Sequence, residues 1–134
     1  MARYAMEATI AGSMDEVKPK LLGALKAQGF GILTEIDVQK TMKAKLGVDF
    51  EPYLILGACN PQLAYRALEA DRSLGILLPC NIVLRQMDGE VEVSIGDPEV
   101  LFEVADAETA SKLVGLPGEV RSRLAAVLAS MADA

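Results

Sequence analysis

The sequence predicts an α+β fold, a two-layer sandwich with a mainly antiparallel sheet and helices on one face. Two observations carry that expectation. Segments of alternating apolar and polar residues, the period of a half-buried strand, are interleaved with segments whose apolar residues recur every three to four positions, the period of a helix. Glycine, proline, asparagine and aspartate punctuate the junctions, including one hairpin signal. The expected order is strand, helix, two strands, helix, two strands, helices, in one domain over residues 1–134.

Tyr4 to Ile10 opens as a strand, with Tyr4, Met6, Ala8 and Ile10 on one side and Glu7 and Thr9 on the other. Ser13 and Glu16 then have the spacing of a capping box, and Val17, Leu21, Leu22 and Leu25 form a stripe that stops at Gly29. Pro19 removes one helix hydrogen bond and suggests that the helix starts later than the box. From Gly31 the alternation returns, with Ile32, Thr34, Ile36 and Val38 on one face and Leu33, Glu35, Asp37 and Gln39 on the other. Thr41 to Phe50 is Lys-rich and broken by Gly47, so it reads as a connection or a short helix.

Tyr53 to Ala58 is apolar on both faces and suits an interior strand. Asn60 and Pro61 follow as N-cap and first residue of a helix through Leu63, Ala64, Ala67 and Leu68. Ile76 to Arg85 reads as a strand interrupted by Pro79, which demands an edge, a bulge or a strand start at that point. Met87-Asp88-Gly89 turns the chain into a strand containing Val91, Val93 and Ile95. Asp97-Pro98 closes it, and Asp106 to Leu113 and Glu119 to Met131 read as helices separated by residues 115–118.

The chain has 134 residues, of which 51% are hydrophobic and 24% charged, enough to bury a core without disulfide or metal staples and too apolar for intrinsic disorder. Its net charge of -6 makes it a poor binder of phosphate backbones, so no nucleic-acid partner is expected. It contains no histidine, which excludes Ser-His-Asp and Cys-His nucleophile pairs and imidazole metal sites. No apolar run reaches the roughly 20 residues of a membrane helix, and the N-terminus lacks a secretory pattern, so the expectation is a cytoplasmic protein without membrane contact. Its two cysteines, Cys59 and Cys80, are expected to be reduced there. No cofactor and no metal are expected.

The most specific local feature is GACNP, residues 57–61, echoed by LPCN, residues 78–81. Both place cysteine directly before asparagine. Cys59 precedes a helix N-cap, where unpaired amides and the helix dipole favour a thiolate. Gly57 permits close approach of a ligand or another backbone, and Asn60 either caps the helix or presents its amide to a ligand. Against this stands the plain structural reading, because free cysteine is among the most buried residue types. A Cys59–Cys80 disulfide or a soft-metal site is the remaining alternative.

Glu35 and Asp37 share a strand face by their spacing and suit an acid/base pair or a hard cation, although strand carboxylates commonly serve only solvation. Six of the seven lysines precede residue 46, whereas residues 88–108 hold eight acids and no base. That asymmetry can orient two chains head to tail, attract an anion, or reflect ordinary solvated faces. The sheet face away from the helices would carry apolar residues as well as carboxylates, and a homodimer packed through that face or an edge would cover them.

The segments GFGILTEIDVQ (29–39), LILGACNPQLAYRALE (54–69) and LLPCNIVL (77–84) strongly resemble the domain-of-unknown-function 302 family of bacteria and archaea. The resemblance spans residues 1–104 as a family-like core, leaving helices within 106–131 outside it. It implies a TATA-binding-protein-like β-α-β-β-α-β-β-α order, a tendency to dimerise, and signature positions at Cys59, Asn60, Pro61, Pro79, Cys80 and Asn81. It implies no reaction, since the family is uncharacterised.

Three functions follow from these residues. The first is a dimeric binding module whose pocket is lined by Cys59, Asn60, Cys80 and Asn81, with Glu35 and Asp37 nearby, for a small polar or thiol-reactive ligand. A thiol or sulfur-chemistry enzyme with Cys59 as catalytic nucleophile is the second. The third is a structural or assembly protein with buried, inert cysteines.

Overall fold

The structure is a computed structural model that describes residues 3–132. Five strands form one wholly antiparallel sheet: β1 (Ala5–Ala11), β2 (Gly31–Asp37), β3 (Tyr53–Cys59), β4 (Cys80–Gln86) and β5 (Glu90–Gly96). Their order across the sheet is β1-β5-β4-β3-β2, which leaves β1 and β2 as edges. The helices are α1 (Met14–Ala27), α2 (Val38–Leu46), α3 (Pro61–Ala70), α4 (Pro98–Leu101), α5 (Ala107–Lys112) and α6 (Leu116–Ala132). The α+β class is therefore as the sequence predicts, with one more helix, α2, between β2 and β3 than the expected order contained.

Alternation along the strands builds the core. Met6 and Ile10 of β1, Leu56 and Ala58 of β3, Ile82 and Leu84 of β4, and Val91, Val93 and Ile95 of β5 all point to one side and are buried. Val17, Leu21 and Leu25 of α1 and Val120, Leu124 and Val127 of α6 cover them. Register brings Leu56 opposite Ile82 and Ile82 opposite Ile95, so one apolar row crosses three strands under the helices. Tyr4 lies just before β1 and is exposed, so the stripe of that strand is Met6, Ala8 and Ile10.

The capping box forms as its spacing predicts: Ser13 Oγ accepts from the Glu16 amide, and Glu16 Oε1 accepts from the Ser13 amide. Pro19 does not delay the helix, which starts at Met14 and runs through the proline. Pro19 is on the exposed side, and burial of Val17, Leu21 and Leu25 together with the box outweighs the one missing backbone bond.

Of the two readings of residues 41–50 the short helix is the one that forms, because Asp37 accepts from the Lys40 amide at 2.9 Å and Gly47, at φ 67°, closes the last turn. Three other expectations are corrected. The alternation of β2 breaks between Ile32 and Thr34: Ile32 pairs with Ala58, Thr34 with the next residue, Gly57, and the shift at Leu33 puts Ile32 on the helix side while Thr34 and Ile36 face away. Glu35 and Asp37 consequently lie on the helix side. The strand expected from Ile76 starts only at Cys80, after Pro79, which has no N–H to give to a ladder; residues 72–77 form a 3₁₀ segment that Asp71 starts by accepting from the Ser73 amide. Lastly, α6 begins at Leu116 rather than Glu119, because a proline in the first turn gives up no helical donor.

Asp97 is buried, accepts from the Glu99 amide as N-cap of α4, and meets Arg121 Nε of α6 at 3.1 Å. The turn read at Asp97-Pro98 thus also ties the end of β5 to the last helix. Among the described residues no helix is long and apolar enough to cross a membrane.

Leu84 is fully buried at the centre of the sheet, between Leu54 and Val93. Leu84→Ala is expected to lower the unfolding free energy by about 2–5 kcal/mol with the urea m-value unchanged, measured by equilibrium denaturation.

Candidate functional site

The two cysteine motifs converge where β3 ends and β4 begins. Ala58 pairs directly with Cys80, and Cys59 is the next residue along β3. An apolar cleft of about 30 Å³ opens there between the sheet, α3 and α6. Its walls include Cys59, Cys80, Pro79, Phe30, Leu63 and Phe102. A volume of that size holds one water or one small group.

The polar side chain in its wall is already engaged. Asn60 is buried, and its Oδ1 accepts from the Leu63 amide at 3.2 Å as the N-cap of α3. Its amide nitrogen lies against Gly29, where an added Cβ would come within 2.8 Å of it, and Gly29 has a φ of +84°. Two independent reasons therefore require glycine at position 29.

Both thiols are held protonated. Burial pushes Cys80 up to about 11, with the nearby charge of Cys59 as the second cause. Burial also raises Cys59, which is partly exposed at the cleft rim. This is the opposite direction from the thiolate expected at a helix N-terminus, because loss of solvent disfavours the charged form. Both cysteines are free thiols in the structure.

Three of the six expected site residues, Cys59, Asn60 and Cys80, thus meet at one cleft. The others do not join them. Asn81 follows Cys80 on β4, so strand alternation turns it to the face away from the helices, where it is exposed opposite Gly57. Glu35 is on edge strand β2 and pairs with Lys18 of α1 at 2.5 Å, and Asp37 is spent on capping α2. With Glu35 exposed and Lys18 half-exposed, that ion pair contributes little. Among the described residues no three His, Cys, Asp or Glu side chains gather into a metal-binding group.

The cleft also contains walls that reading the motifs did not mark. Phe30 follows the end of α1 and Phe102 follows α4, while Leu116 and Val120 come from α6. No local spacing relates these residues to either cysteine; only chain reversal brings them together. Thr34, on the opposite face of the sheet, is also placed by tertiary structure alone. A Cβ at Gly57 would lie 2.7 Å from Pro79 Cγ and would collide with Thr34 Oγ1, so Gly57 is the position at which β2, β3 and the Pro79 ring close on each other.

This chain matches the family described as Domain of unknown function DUF302 over residues 6–131. It belongs to the DUF302 family. A solved structure, described as that of an uncharacterized conserved protein DUF302 from Bacillus stearothermophilus, is 30% identical and superimposes with a TM-score of 0.84. The match covers 97% of this chain and 99% of that one. No curated protein matches the chain. The DUF302 match includes α5 and α6, so the last helices belong to the family pattern rather than lying outside a core that ends at residue 104.

Gly57→Ala is expected to cost roughly 1–3 kcal/mol through overpacking, and Thr34→Ala in the same chain should recover part of that loss in a denaturation experiment. Alkaline pH supplies a second check. Cys80 releases its proton near 9.0 when unfolded and near 11 when folded, so the unfolded chain binds fewer protons between those values. The sign of the linkage makes stability fall as pH rises through that window. Cys80→Ala should show a shallower fall than the wild type when melting temperatures are compared at each pH.

Proposed function

We propose that this DUF302 chain is a small binding module that takes a compact apolar or thiol-reactive group into the cleft between β3, β4, α3 and α6. The observation that carries this reading is the convergence of Cys59 and Cys80 on one apolar cavity, walled on its other sides by Phe30 and Phe102. A ligand recognised through hydrogen bonds is supported less well, because Asn60 already spends its acceptor on the Leu63 amide. The thiol-enzyme reading is weaker still. A nucleophile needs a thiolate or an adjacent base, yet burial raises both cysteines and the chain contains no histidine.

A second reading has its own support: the motif residues are architecture. Asn60 caps α3, Pro61 occupies its first turn, Pro79 stands before β4, and Gly57 admits Thr34 and Pro79. Each assignment explains a signature residue without a ligand.

Labelling of the native protein distinguishes the two. Methyl methanethiosulfonate, which transfers a methylthio group to a thiol, is expected to modify Cys59 before unfolding, while a bulky maleimide reacts much more slowly at the same residue. Adducts are located by mass spectrometry. If both thiols resist the small reagent until denaturant unfolds the chain, the cleft is closed packing and the architectural reading stands.

A further inference from the structure

We propose that the arm formed by β2 and α2, residues 31–48, is the contact surface for a second copy of this chain. Helix α2 has nine residues and contributes no buried side chain. A helix that short is marginal in water and draws its stability from packing, yet its cover within the chain is only partial. Val38, Met42 and Leu46 recur at intervals of four and form one stripe along it, half-buried at Val38 and Met42 and exposed at Leu46.

The uncovered apolar surface is concentrated on this arm. Leu33 is 67% exposed, Ile36 50%, Leu46 69% and Val48 45%. These are four of eleven exposed large apolar side chains in the described residues, yet they fall within sixteen consecutive positions. Ile36 pairs with Ile55 and Ile55 with Val83, so the apolar surface continues from the arm onto the open face of the sheet. Strand β2 is also an edge, with one row of backbone groups that no strand of this chain pairs.

Area and charge select the occupant. The chain exposes 7713 Å², whereas a compact 14.3 kDa monomer is expected to expose about 6,800 Å². The excess, about 900 Å², is close to the roughly 800 Å² that each partner gives up in a standard protein interface. A net charge of -6 opposes docking on anionic lipid or nucleic acid. A second copy offers what the arm needs. It carries the same apolar patch, as a two-fold contact requires, and acids opposite in sign to Lys40 and Lys45, Lys43 being paired already with Asp49 at 3.1 Å. Among those acids, Asp88 and Glu90 adjoin the β4–β5 turn, at the end of the sheet where α2 begins.

Sedimentation velocity from roughly 1 to 100 µM, a range that brackets moderate dimer affinities, tests the contact. The wild type is expected to dimerise, and Leu46→Glu and Ile36→Glu should each raise the dissociation constant at least tenfold with unchanged circular dichroism. Both side chains are exposed, so neither substitution disturbs the core. A wild type that stays monomeric throughout overturns the proposal, as does a dimer indifferent to both substitutions. Binding of a monomeric wild type to vesicles of phosphatidylglycerol and phosphatidylcholine, lost in Leu46→Glu, also overturns it and reassigns the arm to lipid. The cleft lies elsewhere, so its thiol labelling succeeds or fails independently of this result.

Discussion

The pairing of β3 with β4 is the constraint on which most of this molecule depends. With Leu54 opposite Leu84, Leu56 opposite Ile82 and Ala58 opposite Cys80, the apolar side chains of both strands face α1 and α6 together. A slip of one residue would turn each of them to the open face. The same register places Cys80 against the helices and Asn81 away from them. A core requirement therefore decides that Cys80, and not Asn81, reaches the cleft.

The two Cys-Asn motifs look like repeats in sequence and are not equivalent in space. In the first, the chain leaves a strand for a helix, and Asn60 is consumed by the cap that the exposed amides of α3 require. In the second, the chain enters a strand after a proline, and Asn81 stands free on the other face. Pro79 has a definite part in this. Lacking a donor, it cannot extend the ladder, and its ring packs on the bare face of Gly57. The signature is thus at once a packing device and the frame of the cleft, and the raised thiols follow from the low-dielectric walls that this packing creates.

Much of the fold is legible locally. The capping box at Ser13, the cap at Asn60, the Asp88-Gly89 turn, the period-2 runs of β1 and β5 and the apolar run of β3 appear as their residues predict, because each depends on interactions within a few positions. Two of the misreadings share a cause. Pro19 in α1 and the shifted register at Leu33 each set a local preference against a tertiary one, and burial or strand pairing prevailed, whereas the start of β4 at Cys80 follows from Pro79 itself. For the site, the cysteines were visible as a doubled motif, but Phe30 and Phe102 were not, since nothing in their spacing announces a shared wall.

Composition and short-range pattern alone determined the α+β class, the acidic net charge, the exclusion of imidazole chemistry and the importance of Gly57 to Pro61. Those properties depend on residue types and on neighbours a few positions apart. Tertiary structure alone decided that Cys59 and Cys80 share a cleft, that Glu35 is committed to Lys18, and that Leu33, Ile36, Leu46 and Val48 of the β2–α2 arm stay exposed. These outcomes turn on strand register and chain reversal over tens of residues. Solvent exclusion also belongs to the folded state alone, and it sets the direction of both thiol shifts against the local pull of a helix terminus.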